Sequence, residues 1–519
     1  MGRKNKGKNT KSQQSQPNVQ SQTTQASTSG KGSESSPHPP VELPKTVKRE
    51  EGELVASLLE VCSKPPESGS RELEDYPQIH ALVESIRKIQ SAFILPEGNR
   101  TESFDPFLKW LNDNGVNTES IEISEFPGVG FGLKTMKDLK EGDKLLQIPR
   151  KLMLTVDSAK KSSLGPLISE DKILQVMPNV TLALHVLNEK FTPNSFWKPY
   201  IDSLPNKYST PLYWGSEELQ LLKGSPVQGD AINQYRNIAR QYAYFYRLLQ
   251  KSPAVKDLPL KEHFTFENYR WAVSTVMTRQ NQIPARDGSR ATLGLIPLWD
   301  MCNHTNGIYT SDYNANEDAC ECFCLQDFPS GQQILIFYGP RSNGEFLVHN
   351  GFVYADNEHD RLCLKLGISK GDSLFALKSE VLGKLNLAPS RSFYLHRGRF
   401  PVDGDLLAFL RVFCMAEDFL KEKYSGDSAP GPEEMEILKD ENQCVDTENE
   451  EKVWSFLHTR ASLLLKAYPC SIEEDESSVD LPDASNVKKM ASQLRIGERR
   501  ILLNTIDYAQ KKKENLKQS

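Results

Sequence analysis

The chain has 519 residues, of which 38% are hydrophobic and 25% are charged, enough of both for a globular core. At roughly 150 residues per domain, this length corresponds to about three domain-sized units, and no apolar run approaches the ~18 residues that a membrane-spanning helix needs. With 63 basic and 69 acidic residues, the net charge of −6 lacks the positive excess of a dedicated nucleic-acid binder. Composition therefore excludes a helical membrane protein and argues against direct nucleic-acid binding.

The N-terminal region predicts a tail followed by helices. The first 40 residues contain only Met1, Val19 and Ala26 as apolar side chains, too few to offset the entropy of ordering them. We expect a disordered low-complexity tail over residues 1–48. From 49 to 118, apolar residues recur at helical spacing, as in Ile79, Leu82, Val83 and Ile86, which predicts an N-terminal helical segment.

Residues 119–339 predict a strand-rich unit with a helical insert. Short apolar runs at 121–133 and 145–149 predict strands in a hairpin-like arrangement, and later runs at 293–298, 320–325 and 334–338 predict further strands. The insert spans about 160–280, and its clearest helix covers residues 269–279 and is entered from Thr265 as N-cap. Cys320, Cys322 and Cys324 alternate as on one face of a strand, whereas zinc ligands usually come as Cys-x2-Cys pairs, so no metal site is expected.

The C-terminal region predicts a helical unit over 340–505 and a polar tail over 506–519. From about Ser373 the chain is expected to be helical, with apolar stripes that begin at Leu406 and Val453. Acidic stretches at 432–451 and 473–483 predict loops.

Three segments join an apolar strand to polar residues, a common way to present groups in a cleft. Each also has a purely structural interpretation. Gly130-Phe131-Gly132 is typical of a tight turn, or of backbone that approaches a ligand. Asp300, Asn303 and His304 follow the second strand and indicate a ligand site, or a helix cap with a core histidine. Tyr338 ends the third strand, where a tyrosine more often packs than reacts.

In this order, the three segments resemble the SET-domain methyltransferases. The longer blocks at 276–284 and 298–307 are similar to the SET-domain enzymes that methylate a histidine of actin and to their relatives, the Rubisco large-subunit lysine methyltransferases. The resemblance covers about residues 50–505. It implies an α+β protein, with a SET fold of small β-sheets and a helical insert, followed by an all-α substrate-binding domain.

The resemblance also implies S-adenosylmethionine as methyl donor and actin as protein substrate. The positions that match the donor site are Arg100, Val129, Gly130, Phe131, Arg279, Asp300, Met301, Cys302, Asn303, His304, Asn350, Gly351 and Phe352. Asn281, Trp299, Tyr338 and Arg341 match the acceptor side, with Tyr338 and Asn281 in the catalytic roles. Val129 stands where a glutamate is common in relatives, and Asn350 where a serine is usual.

The implied reaction is transfer of a methyl group to the tele nitrogen of an actin histidine. An imidazole, with a pKa near 6.5, is mostly neutral at pH 7, so this acceptor needs no strong base but does need the correct tautomer. A protein-lysine methyltransferase for a histone or cytosolic target remains an alternative, as does a catalytically silent module that binds actin. The absence of a secretory signal predicts a cytoplasmic protein, with the nucleus as a second location, and we expect a monomer.

Overall fold

The architecture comes from a computed structural model, which describes residues 45–64, 71–91, 98–286, 291–424 and 430–518. Residues 1–44, most of the predicted tail, lie outside this set. The first described helix begins at Lys45, so residues 45–48 at the end of that predicted tail are helical.

The helices of the described chain are α1 (Lys45–Ser63), α2 (Arg71–Gln90), α3 (Phe104–Asp113), α4 (Val156–Lys161), α5 (Gly165–Glu170), α6 (Lys172–Val176), α7 (Pro178–Phe191), α8 (Lys198–Asp202), α9 (Ser216–Gln220), α10 (Val227–Lys251), α11 (Pro259–His263), α12 (Phe266–Arg279), α13 (Asn343–Asn350), α14 (Phe375–Lys384), α15 (Gly404–Cys414), α16 (Glu417–Tyr424), α17 (Pro432–Met435), α18 (Thr447–Leu465), α19 (Ile472–Asp480) and α20 (Asn486–Gln518). The strands are β1 (Ile121–Phe126), β2 (Gly130–Thr135), β3 (Lys144–Pro149), β4 (Leu154–Thr155), β5 (Gln280–Pro284), β6 (Ala291–Leu295), β7 (Asn303–His304), β8 (Ser311–Asn314), β9 (Ala319–Phe323), β10 (Gln333–Ile336), β11 (Arg361–Gly367) and β12 (Ser390–His396). None of the described helices is long and apolar enough to cross a bilayer.

Four small sheets form the strand-rich unit and the start of the C-terminal unit. Their strand orders are β1-β2-β10-β7, β3-β9-β8, β4-β6-β5 and β11-β12. The predicted hairpin is confirmed for β1 and β2, which pair antiparallel from Ile121↔Thr135 to Phe126↔Gly130. Strand β3 instead pairs with β9, in a different sheet.

Helices α4 to α12 fill the chain between β4 and β5, in the position of the predicted insert. The predicted N-cap of its last helix is confirmed, because the side chain of Thr265 accepts a hydrogen bond from the Asn268 amide at 3.1 Å. Capping fixes where α12 begins. Helix α12 ends at Arg279, and β5 follows it as an edge strand of the sheet β4-β6-β5. The insert and the three sheets formed by β1 to β10 share one hydrophobic core with α1 to α3.

A second core lies in the C-terminal unit, where α15, α18 and α20 pack around residues such as Leu407, Phe409 and Leu457. The expectation of continuous helix from Ser373 is wrong at β12, and the substrate-binding unit is therefore helical apart from the β11-β12 pair. In β12, Phe393 and Leu395 alternate with more exposed residues and pack into this core, which favours a strand.

The two acidic stretches predicted as loops are also partly helical. Residues 432–435 form α17, and 472–480 form α19. A capping box starts α19, since Ser471 accepts from the Glu474 amide and Glu474 accepts from the Ser471 amide. In the predicted polar tail, 506–519, residues 506–518 continue α20, and Ser519 lies outside the described residues.

The three alternating cysteines lie on one buried face, as predicted, and the Sγ atoms of Cys320 and Cys322 are 3.9 Å apart. Across the described ranges, no three His, Cys, Asp or Glu side chains converge in a way that could hold a metal ion.

Candidate active site

A parallel strand pairing brings together two of the predicted segments. After β6 the chain turns sharply at Pro297 and Leu298, makes a 3₁₀ turn at Trp299–Met301 and enters β7. Strand β7 runs parallel to β10, with Asn303 opposite Leu335 and His304 opposite Ile336. Since Tyr338 lies two residues after the end of β10, residues 302–304 and Tyr338 meet at one end of this sheet.

The Tyr338 hydroxyl donates a hydrogen bond to the Cys302 carbonyl at 2.5 Å. Burial, followed by the nearby Cys302, raises the pKa of Tyr338 above its usual value, so the phenol stays protonated at neutral pH. The hydroxyl proton is thus committed to a backbone carbonyl, and the oxygen keeps only its lone pairs for another contact. Burial also raises the pKa of the Cys302 thiol, which makes it a poor nucleophile.

The buried ring of His304 is surrounded by aromatic side chains. Its Nδ1 accepts from the Tyr338 amide at 3.2 Å, and its ring centroid lies 4.6 Å from Phe346 and 5.1 Å from Tyr354. Burial lowers the pKa of His304 to about 4, so the ring is neutral at physiological pH. Within the described chain, its Nε2 has no hydrogen-bond partner, which leaves one polar atom for a ligand or water.

Asp300 and Arg279 form a buried ion pair. Arg279 Nη1 lies 3.2 Å from Asp300 Oδ1 and donates to the Asp300 carbonyl at 2.9 Å, while the Tyr200 hydroxyl donates to Asp300 Oδ2. The two side chains are 12% and 1% exposed. Burial alone would lower the pKa of Arg279, but the Asp300 carboxylate and the surrounding tyrosines raise it above its usual value. The guanidinium is therefore permanently charged.

A second guanidinium lies close to this pair. Arg100 Nε donates to the Ser203 carbonyl at 2.5 Å, and its guanidinium is 5.4 Å from the centre of the Phe104 ring and 5.2 Å from that of Phe131. Burial, and then the like charge of Arg279, lower the pKa of Arg100 to about 10. Two arginines thus face one carboxylate, an excess of positive charge that suits a bound anion.

Gly130-Phe131-Gly132, predicted as a tight turn, instead forms the start of β2, directly after the turn at residues 127–129. Gly130 has φ +76°, and a side chain there would meet open space, whereas a Cβ on Gly132 would lie 2.7 Å from Gln333 Nε2 and 2.9 Å from Asn303 Nδ2. A side chain at Gly132 would therefore displace the amide ends of Gln333 and Asn303, and the Asn303 amide lies 3.4 Å from the Phe131 carbonyl. Val129, the last residue of the turn, is 55% exposed.

The end of α13 carries Asn350, Gly351 and Phe352. Arg341 Nη1 donates to Asn350 Oδ1 at 2.8 Å, and Asn350 Nδ2 lies 3.3 Å from the Thr278 carbonyl. Gly351 caps the helix at φ +82°, where a Cβ would lie 2.8 Å from the Thr210 amide nitrogen. The Phe352 ring stacks on Phe346 at 4.8 Å.

A cavity of about 80 Å³ collects the predicted acceptor-side residues. Its walls include Arg279, Asn281, Trp299, Asp300, Tyr338, Arg341 and Asn350. Trp299 is 3% exposed, and Asn281 Nδ2 donates to the Arg279 carbonyl at 3.1 Å. Of the predicted donor-side residues, Arg100, Val129, Gly130, Phe131, Met301, Cys302, Asn303, His304, Gly351 and Phe352 do not line this cavity. Met301 and Cys302 are buried beside it, and Cys302 acts through its carbonyl.

Sequence reasoning missed three tyrosines at this site. Tyr200 bonds to Asp300, Tyr208 shares a hydrogen bond with Thr275 at 2.8 Å near the two arginines, and Tyr309 lines the cavity while 66% exposed. Tyr200 lies in the aromatic-rich stretch 194–200 of the insert, but no local pattern indicates that it reaches a residue 100 positions later.

A larger cavity of about 610 Å³ shares Met277 and Gln280 with the smaller one. Residues of α10, α12, α13, β11 and β12 surround it, among them Gln234, His349 and Tyr394. Met277 and Gln280 therefore separate the small cavity from an adjacent space between the insert and the C-terminal unit.

Comparison with family models assigns both units. Residues 130–339 match the model described as SET domain, and residues 369–502 match the model described as Rubisco LSMT substrate-binding.

Solved structures share this architecture. The fold is similar to a structure of Rubisco LSMT bound to AdoMet, with a TM-score of 0.66 at 24% identity over 80% of this chain and 93% of that one. A structure of the SET domain of LSMT bound to lysine and AdoHcy gives a TM-score of 0.67 at 22% identity, over 82% and 94%. At these identities the comparison establishes a common fold.

Curated relatives are much closer in sequence. The chain is 51% identical over 457 residues to an actin-histidine N-methyltransferase of Mus musculus, across 88% of this chain and 77% of the relative. The proteins of the same name from Xenopus tropicalis and Homo sapiens are 51% and 50% identical, across 88% and 90% of this chain and 78% of each relative. The chain therefore belongs to the SET-domain methyltransferases, in the group of the actin-histidine N-methyltransferases.

Proposed function

We propose that this chain is a protein-histidine N-methyltransferase that transfers a methyl group from S-adenosylmethionine to the tele nitrogen of an actin histidine. The observation that carries the proposal is the small cavity, in which Asn281, Trp299, Tyr338 and Arg341 meet beside the Arg279–Asp300 pair. Relatives that carry this activity in their names align over most of the chain.

The polar groups of this chain fit the methyl donor. Arg100 and Arg279 carry two positive charges beside the single negative charge of Asp300. The two arginines can therefore bind the carboxylate at the amino-acid end of the donor. The unpartnered Nε2 of His304 and the aromatic face of Phe352 are expected on the same side. When bound, the donor supplies an electrophilic methyl group on a sulfonium sulfur.

The cavity suits an acceptor that is neutral before the reaction. Asp300 is the one carboxylate among the described residues that line it, and it is bonded to Arg279 and Tyr200. Tyr338 holds its proton. A lysine, with a pKa near 10.4, would have to lose a proton here, whereas most imidazoles, with a pKa near 6.5, arrive neutral. This difference favours histidine over lysine as acceptor.

Alignment is then the main task of the protein, and it can supply about 7 to 11 kcal/mol in favourable cases. The amide of Asn281 orients the imidazole by bonding to the nitrogen that does not react, because only the nitrogen without hydrogen can attack. Trp299 forms a flat wall for the ring, and the Tyr338 oxygen helps to position the methyl group. The 610 Å³ cavity gives room for the polypeptide around the acceptor.

The test is transfer of label from methyl-labelled S-adenosylmethionine to purified monomeric actin. We expect labelled actin with the wild-type protein and at least tenfold less label with Tyr338→Phe, while the matched Tyr508→Phe, remote in α20, keeps wild-type transfer. Actin that binds to the protein but never takes up label would identify a silent binding module and refute the proposal.

We further propose that the enzyme acts in the cytoplasm, with the nucleus as a second location, and as a monomer. The location is based on the choice of actin as substrate and is tested by fluorescence microscopy, whereas size-exclusion chromatography tests the monomer.

A further inference from the structure

The turn before Trp299 has an unusual backbone conformation. Leu298 has φ +69° and ψ −48°, in a region that residues with a Cβ rarely adopt, and its side chain is fully buried. The Trp299 amide donates to the Pro297 carbonyl at 2.9 Å, which closes a three-residue turn of the strained kind. Such strain persists only where the surrounding structure enforces it, and it concentrates at functional sites.

Three elements of the candidate active site follow this turn within four residues. Trp299 forms a wall of the small cavity, Asp300 pairs with Arg279, and the Cys302 carbonyl accepts from Tyr338. Backbone hydrogen bonds from Asp300 to Ile296 at 3.1 Å and from Met301 to Leu298 at 3.0 Å tie these residues rigidly to the turn. A small rotation at Leu298 therefore moves the donor side and the acceptor side together.

We propose that Leu298 is a positioning residue, whose buried side chain anchors the strained turn and so holds the segment 299–302 in place against Arg279 and Tyr338. The inference rests on the proposed methyl transfer but concerns a buried residue that does not line the small cavity. Nothing in its chemistry reacts, so its contribution to the rate comes only from the geometry it holds.

Two substitutions distinguish the anchoring side chain of Leu298 from the steric cost of its positive φ. Leu298→Ala removes the anchoring side chain but keeps the Cβ that disfavours a positive φ. Leu298→Gly removes the anchor and the steric penalty together, so the turn can persist. At an ordinary buried leucine, glycine is the more damaging of the two, because it loses more conformational freedom on folding.

The experiment measures kcat for actin methylation by the full chain, the melting temperature, and the dissociation constant of S-adenosylhomocysteine by calorimetry. We expect Leu298→Ala to lower kcat by about tenfold or more, since small misplacements in an active site are costly. Leu298→Gly should retain a severalfold higher kcat and melt at a higher temperature than Leu298→Ala. Leu298→Met, which keeps a buried anchor, should restore most of the rate.

Leu295 is the matched control, because it is equally buried in the adjacent strand β6 and has no positive φ. Its alanine variant should be more stable than its glycine variant. The proposal is overturned if Leu298→Ala matches or exceeds Leu298→Gly in kcat, or if both change only the melting temperature. Failure of the wild-type protein to methylate actin would refute the proposed function instead, and the two failures are thus distinguishable.

Discussion

Arg100 gives the Arg279–Asp300 pair a net positive charge. Arg100 adds a second guanidinium beside one carboxylate, and this guanidinium lies over the rings of Phe104 and Phe131. Arg100→Met keeps a long apolar side chain but removes the charge. We expect it to weaken S-adenosylmethionine binding by roughly tenfold to a hundredfold, the range of a charged hydrogen bond of about 1.5–3 kcal/mol. Isothermal titration calorimetry measures this, with the exposed Lys109→Met as the variant expected to bind normally; unchanged affinity in Arg100→Met would remove this arginine from the donor site.

Two side chains are expected to determine whether the enzyme methylates histidine or lysine. Asn281 and Trp299 lie in the small cavity, and we assign them orientation of the imidazole and a flat slot for it. The double variant Asn281→Phe/Trp299→Ala removes the orienting amide and opens the slot, so preference should shift from histidine toward lysine. Rates with an actin peptide and with its His-to-Lys version measure the shift. A variant that is dead toward both peptides would mean that these side chains do not select the acceptor.

His304 couples the site to pH. Burial lowers its pKa to about 4, from 6.5 in the unfolded chain. Between these values the unfolded state binds a proton that the folded state does not, so the free energy of unfolding is unaffected by this group above pH 6.5 and decreases as pH falls toward 4. His185, with a pKa lowered to about 3 by burial, has the same sign. The melting temperature should therefore fall from pH 7 to pH 5, and less steeply in His304→Asn; an identical slope in that variant would contradict the assignment.

At the scale of elements, α20 is held to its neighbours by buried charges. Asp475 of α19, 1% exposed, accepts from Arg495 at 3.0 Å and from Arg499, and Arg495 also donates to the Leu221 carbonyl of the insert. Asp475→Asn leaves two buried guanidiniums without their counter-charge, which should destabilise the protein by about 3–5 kcal/mol. The nearby Glu476–Arg500 pair is exposed, so Glu476→Gln should change stability by less than about 1 kcal/mol. Thermal unfolding of the two variants tests the contrast, and equal losses would contradict it.

Local signals predicted some elements well and missed others for physical reasons. Thr265 correctly predicted the start of α12 because a side-chain cap depends only on residues that are close together in the sequence. The acidic composition of residues 473–483 led to the prediction of a loop where α19 forms. Ser471 and Glu474 match the capping-box pattern, which indicates the start of this helix. The β11-β12 pair was missed because a strand of seven residues is stabilised by its partner and by the core beneath it, neither of which is local.

At the scale of the whole molecule, the site is assembled from segments far apart in the chain. Motif resemblance identified Arg279, Asn281, Trp299, Tyr338 and Arg341, which do meet in one cavity. Tyr200 and Tyr309 could not be found in this way, since their roles arise only when the insert and the loop after β7 fold against the sheets. Long-range contacts of this kind leave no periodic trace in the sequence.

The central claim is that the cavity selects an unprotonated ring from actin as its acceptor. Tandem mass spectrometry of actin, after incubation with the enzyme and isotopically labelled S-adenosylmethionine, tests this most directly. The account predicts one labelled histidine, methylated on its tele nitrogen, and loss of that product in Tyr338→Phe. Label found on a lysine, or on no residue of actin at all, would contradict it.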